Sequence, residues 1–181
     1  MSVDNLPAPQ PFGPTPLDPG LARFNARDDA ERALLACCAS PRWAGDVTAG
    51  RPYADRATLI DRAGRRLADL DWSEIRTALD AHPRIGDRPR GTGVEAAWSR
   101  TEQSGMDTAS ASVRADLVEA NRAYEERFGH VFLIFATGRT DAEMLAAARQ
   151  RLDNDETTER AVVRGELARI VALRLERLLD S

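Results

Sequence analysis

Three side chains in this sequence, His82, Glu102 and Arg174, have the types and settings that invite chemistry. His82 is one of two histidines among 181 residues and lies in Ala81-His82-Pro83-Arg84-Ile85-Gly86-Asp87, where a helical pattern stops. Pro83 donates no backbone hydrogen bond and biases His82 away from helical geometry, while Gly86 permits a tight turn. An imidazole on such a turn can be held in one orientation, as a general acid or base requires, although ordinary helix-boundary histidines look the same. In Ser99-Arg100-Thr101-Glu102-Gln103, residues 99, 102 and 103 share one helical face, a pattern that most often faces solvent. Arg174 stands in register with Val163, Leu167, Ile170 and Leu178. It either snorkels out of that apolar stripe or points into a cavity that holds an anion.

These residues need a scaffold, and composition narrows its type. The chain has the length of one domain with a real core. Charged residues at 30% with aromatics at 6% suit a helix-rich protein better than a β-sandwich. A net charge of −4, with acidic residues interleaved among the arginines, argues against a nucleic-acid or anionic-membrane partner. No apolar run reaches membrane-spanning length, and neither end reads as a targeting signal, so a cytoplasmic setting is expected. Cys37 and Cys38 are adjacent and read as small packed residues rather than a disulfide or metal pair.

Residues 1–20 hold six of the ten prolines and read as a flexible tail, leaving 21–181 as the folded domain. The periodicity predicts helices over Phe24–Ala39, from Pro41 to Gly50, over Asp55–Leu70, and from an Asp71-x-x-Glu74 cap to Ala81. Asn25 or Asp28 would cap the first of these. Thr92 with Glu95 launches a helix to about Gln103, and after the small polar stretch Ser104–Ser112 a long helix runs to Phe128 and stops at Gly129. Thr140 with Glu143 forms a further capping box, and the last helix spans about Thr158–Leu179. Val131–Ala136 is different: a continuous apolar run, too short for a buried helix, with no second strand to pair with. Its backbone groups must find side chains, water or a ligand. The expected fold is therefore an all-α, single-domain multi-helix bundle with one short extended apolar segment at about residues 131–136.

Four motifs now stand in order: His82-Pro83-Arg84-Ile85-Gly86; Ser99-x-x-Glu102-Gln103; Asn121-x-x-Tyr124-x-x-x-Phe128-Gly129; and Phe132-Leu133-Ile134-Phe135-Ala136. With Arg151-Leu152-x-Asn154 and Ile170-x-x-x-Arg174-Leu175, they resemble the 2-oxo-4-hydroxy-4-carboxy-5-ureidoimidazoline (OHCU) decarboxylases from about Phe24 to Leu179. The resemblance implies an all-helical homodimer that converts OHCU to (S)-allantoin and carbon dioxide, the last step of urate oxidation to allantoin, without metal or organic cofactor. It implies His82 as general acid/base, and Glu102 matches a substrate-contacting position; by its chemistry Glu102 could orient the imidazole or bind the substrate hydroxyl and ureido groups. Pro83, Ser99, Gln103, Phe132, Leu133, Ile134, Phe135 and Ala136 match substrate-contacting positions, and Arg174 joins them by its charge. An absent cofactor fits the chemistry, because an electron-poor ring C=N beside the departing carboxylate can take the electron pair.

Two rivals are weighed against this reading. A non-catalytic helical binding module would use Arg84, Arg88 and Arg90 as a basic loop, but Asp87 and the acidic net charge oppose it. A carboxylate-metal hydrolase would draw on Glu95, Glu102 and His82, yet no metal motif of recognisable spacing appears.

Overall fold

The computed structural model describes residues 18–85, 94–102 and 111–181. Residues 1–17 of the expected 1–20 tail, the Gly86–Asp87 turn, the Arg88–Gly91 loop, the Thr92 cap, Gln103 and residues 104–110 of the expected Ser104–Ser112 stretch lie outside the described residues. Nine helices occur among those described, and no strand: α1 Pro19–Ala26, α2 Ala30–Cys37, α3 Pro41–Thr48, α4 Arg56–Ala68, α5 Trp72–Asp80, α6 Val94–Glu102, α7 Ala111–Phe128, α8 Asp141–Arg151 and α9 Glu156–Asp180. The all-α expectation therefore holds.

Chain entry departs from the expectation in two ways. First, folding begins before residue 21: Asp18 caps α1 by accepting from the Leu21 N–H at 3.0 Å, and Pro19 takes the first helical position. Gly20 packs directly on α9, where an added Cβ would lie 1.9 Å from the Leu179 carbonyl oxygen, so only glycine fits. Second, the single helix expected over 24–39 is two, and neither Asn25 nor Asp28 is the cap. Arg51 ends α1 by donating to the carbonyls of Phe24, Asn25 and Arg27 at 3.1, 3.3 and 2.7 Å, groups a longer helix would have used internally.

Other signals read correctly. Asp71 caps α5 at 3.0 Å from the Glu74 N–H, although the Glu74 carboxylate turns away to accept from Ser40. Thr140 and Glu143 form the complete reciprocal capping box of α8. Gly129 ends α7 at φ 72°, a left-handed conformation natural to glycine. Cys37 and Cys38 are both buried, and burial pushes the Cys38 thiol up to about 12.

Two apolar clusters organise these helices. The larger joins α1–α5 to α9 around Leu34, Trp43, Leu59, Leu67, Leu79, Leu167 and Leu175. The smaller joins α7 and α8 through Leu117, Tyr124, Met144 and Ala148. Residues 131–136 run between them. Val131, Leu133 and Phe135 meet the larger cluster, whereas Phe132, Ile134 and Ala136 meet the smaller. That alternation is the signature of extended backbone, and burial on both faces explains the uninterrupted apolar run. The segment does the work of a strand between two layers of helices.

Candidate active site

The turn after α5 positions His82. Its N–H donates to the Leu79 carbonyl and its Nδ1 lies 2.8 Å from the Ala78 carbonyl oxygen. A carbonyl only accepts, so Nδ1 carries the proton and Nε2 presents a lone pair. Nε2 is withdrawn from solvent and has no hydrogen-bond partner among the described residues. Burial, and then the Arg174 guanidinium, lower the imidazole pKa from its ordinary 6.5 to about 4. The ring is neutral at physiological pH, with the Nε2 lone pair unprotonated.

Arg174 resolves its two alternatives in favour of the interior. It is 4% exposed, and its Nε and Nη2 fork onto the Glu102 carboxylate at 3.1 and 2.9 Å. Nη2 also reaches Ser99 Oγ at 3.2 Å, while Arg177 donates to Glu102 Oε1 at 3.1 Å. The face shared by Ser99 and Glu102 therefore meets α9 rather than solvent. A carboxylate has about four acceptor sites. Among the described residues three are taken by arginine N–H groups, which leaves one on Oε2. The contact that holds the His82 ring is the one from Nδ1 to the Ala78 carbonyl.

His82, Pro83, Ser99, Glu102, Arg174 and all five residues of 132–136 line one cleft, together with Ile85 and Ile170. The cleft is tight, with a cavity volume of about 30 Å³. Each described member of the sequence-derived set is thus brought to one place. The extended segment forms one wall. Its Leu133 carbonyl accepts from Arg151 Nη1 at 2.8 Å, and its Phe135 N–H donates to Glu166 Oε2 at 2.7 Å.

Sequence reasoning gave no role to Glu166, Arg177, Ile85 or Ile170, and quoted Arg151 only as a pattern. A signal was present: Glu166, Ile170, Arg174 and Arg177 fall at helical spacing on one face of α9. His130, given no catalytic role, is buried among Trp72, Tyr124 and Phe128, and its Nδ1 meets the Val131 carbonyl. Arg84, the described member of the expected basic loop, pairs with Glu125 through two bonds. Among the described residues no three His, Cys, Asp or Glu side chains gather as a metal site, and no helix is long and apolar enough to cross a membrane.

Comparison with known proteins gives a consistent result. The chain is 32% identical over 86% of its length to the uric acid degradation bifunctional protein TTL of Arabidopsis thaliana, and spans about half of that protein, 49%. It is 30% identical to the OHCU decarboxylase of Amia calva, over 77% of this chain and 81% of the relative. A crystal structure of OHCU decarboxylase in the presence of (S)-allantoin superposes with a TM-score of 0.72 at 31% identity, covering 81% of this chain and 96% of that one. The family model described as OHCU decarboxylase matches residues 25–176, and the chain belongs to that family.

Proposed function

We propose that this protein is a carboxy-lyase that converts OHCU to (S)-allantoin and carbon dioxide, with His82 as proton carrier. The observation that carries the reading is the buried, unpartnered Nε2 of His82 lining the same cleft as the Arg174–Glu102 pair. The substrate carries its carboxylate and hydroxyl on one ring carbon, beside a ring C=N. When the carbon–carboxylate bond breaks, its electron pair forms a double bond to the neighbouring ring carbon. The C=N pair moves onto nitrogen, which takes up a proton from water at the open mouth of the cleft. The resulting enol passes its hydroxyl proton to His82 Nε2, and the imidazolium returns a proton to the ureido-bearing carbon from one face. The sum is loss of carbon dioxide and gain of one proton, with a single configuration at the new C–H.

Each neighbour has a part. Glu102, through its remaining acceptor site, receives the substrate hydroxyl or ureido N–H. Among the described residues Arg174 keeps Nη1 out of its fork, and an N–H on the 2-oxo group, which is conjugated with the nitrogen that receives the pair, favours the transition state over the ground state. A bound substrate anion offsets the Arg174 charge felt by His82 and raises its basicity when the proton must move. The apolar side chains of 132–136 leave the carboxylate poorly solvated, which favours its departure as neutral carbon dioxide.

The reading is tested by adding purified protein to freshly generated OHCU and following carbon dioxide release. Catalysed release that survives exhaustive chelation is expected; release no faster than the uncatalysed background would overturn the reading. A duplex-binding titration separates the rival module, which requires binding that weakens steeply with salt. Homodimeric assembly, a cytoplasmic setting and a dispensable N-terminal tail belong to the same proposal, and light scattering on the eluted protein decides the first.

A further inference from the structure

In an extended backbone, the N–H and C=O groups of alternate residues point to opposite edges. One edge of the 131–136 segment is held by charged groups: Arg151 on the Leu133 carbonyl and Glu166 on the Phe135 N–H. Both holders are withdrawn from water, Arg151 at 6% and the Glu166 side chain at 14% exposure. Arg151 is itself fixed by Glu159 at 2.5 Å and by the Tyr124 hydroxyl at 3.3 Å, and Asn154 fixes the other Glu159 oxygen at 2.8 Å. Its guanidinium also lies over the Phe132 ring at 4.6 Å, while Arg169 lies over the Phe135 ring at 4.5 Å. The opposite edge is open. The Ile134 N–H, the Ile134 carbonyl and the Ala136 N–H have no partner among the described residues, and both residues line the cleft.

We propose that Glu166 and Arg151 are positioning residues. They clamp one edge of the segment so that the other presents a fixed donor–acceptor–donor row to the alternating C=O and N–H groups of the ureide. The inference rests on the ureide reading above and extends it to what selects the substrate. Without the clamps, the free edge would sample several orientations, and the ring would meet His82 with either face. Glu166 lies eight residues before Arg174 on α9, about 12 Å along the axis. One rigid helix therefore sets both the backbone edge and the ion pair of the cleft.

The test uses the full chain with Glu166→Ala and Glu166→Gln, the second keeping a side-chain oxygen that accepts from Phe135. For Glu166→Ala, amide exchange across 132–136 should accelerate. kcat/KM should fall roughly tenfold or more, the worth of one charge-assisted hydrogen bond, with the change mainly in KM. The enantiomeric excess of the allantoin should drop. Glu166→Gln should recover most of all three. Wild-type exchange, kinetics and enantiomeric excess in Glu166→Ala would overturn the clamp, as would losses that Glu166→Gln leaves unrepaired. If the wild-type protein itself fails to turn over OHCU, the ureide reading fails separately, and the exchange comparison still decides whether Glu166 holds the segment.

Discussion

Replacing Arg174 with Met separates what the residue does for the fold from what it does for the substrate. Judged from sequence, Met suits an apolar stripe and the fold should tolerate it. The structure predicts otherwise, because removing the guanidinium strands a carboxylate. Glu102 would lose two charge-assisted bonds of 3.1 and 2.9 Å, and Ser99 Oγ its donor at 3.2 Å. Breaking a buried ion pair by removing one partner costs about 3–5 kcal/mol. Glu102 keeps Arg177 at 3.1 Å and borders an open cleft, so the lower end, about 3 kcal/mol, is expected. For a chain of this size that corresponds to a Tm loss of roughly 6–12 °C. Adding Glu102→Gln removes the stranded charge and should restore about 1–2 kcal/mol, a coupling characteristic of contacting residues. Thermal unfolding of wild type, both single variants and the double variant, followed by circular dichroism, measures it. A Tm within about 2 °C of wild type for Arg174→Met, or strictly additive effects, would refute the reasoning.

Three further outcomes follow from the same geometry. Deleting residues 1–17 should leave Tm and turnover unchanged, whereas deleting 1–20 removes the Asp18 cap, its ion pair with Arg56 and the Gly20–Leu179 contact, and should lower Tm measurably. Gly20→Ala alone should destabilise, because the new methyl group meets backbone rather than a yielding side chain, as a melting curve would show. His82 and His130 both have folded pKa values below the ordinary 6.5, so the unfolded chain binds protons that the folded chain refuses. Stability should therefore fall as pH drops from about 6.5 toward 4, and His82→Asn should flatten part of that slope in urea titrations.

Much of this site is legible in the sequence because its residues announce themselves locally. His82 precedes a proline, Ser99 and Glu102 share a helical face, and Arg174 breaks an apolar stripe. The apolar run at 131–136 lacked a visible partner strand, and its partners are indeed the side chains of Arg151 and Glu166. What local pattern could not supply is pairing across the chain. Arg51 ends α1 from 24 residues away, and Arg177 shares Glu102 across the fold. Each is a long-range contact that no periodicity encodes. The tail boundary slipped for a related reason: Pro19 and Gly20 read as loop residues, yet proline suits a helix start and glycine a close helix crossing.

Decarboxylation of OHCU through His82 is tested most directly by the optical activity of the product. Wild type and His82→Asn are each mixed with freshly generated OHCU, and allantoin formation is followed by circular dichroism. Wild type should yield one enantiomer, (S)-allantoin. His82→Asn should keep its helical signal while its turnover falls roughly 10²- to 10⁴-fold, the usual share of a general acid/base, with product optical activity approaching that of the uncatalysed reaction. A His82→Asn protein that still delivers a single enantiomer at the wild-type rate would contradict it.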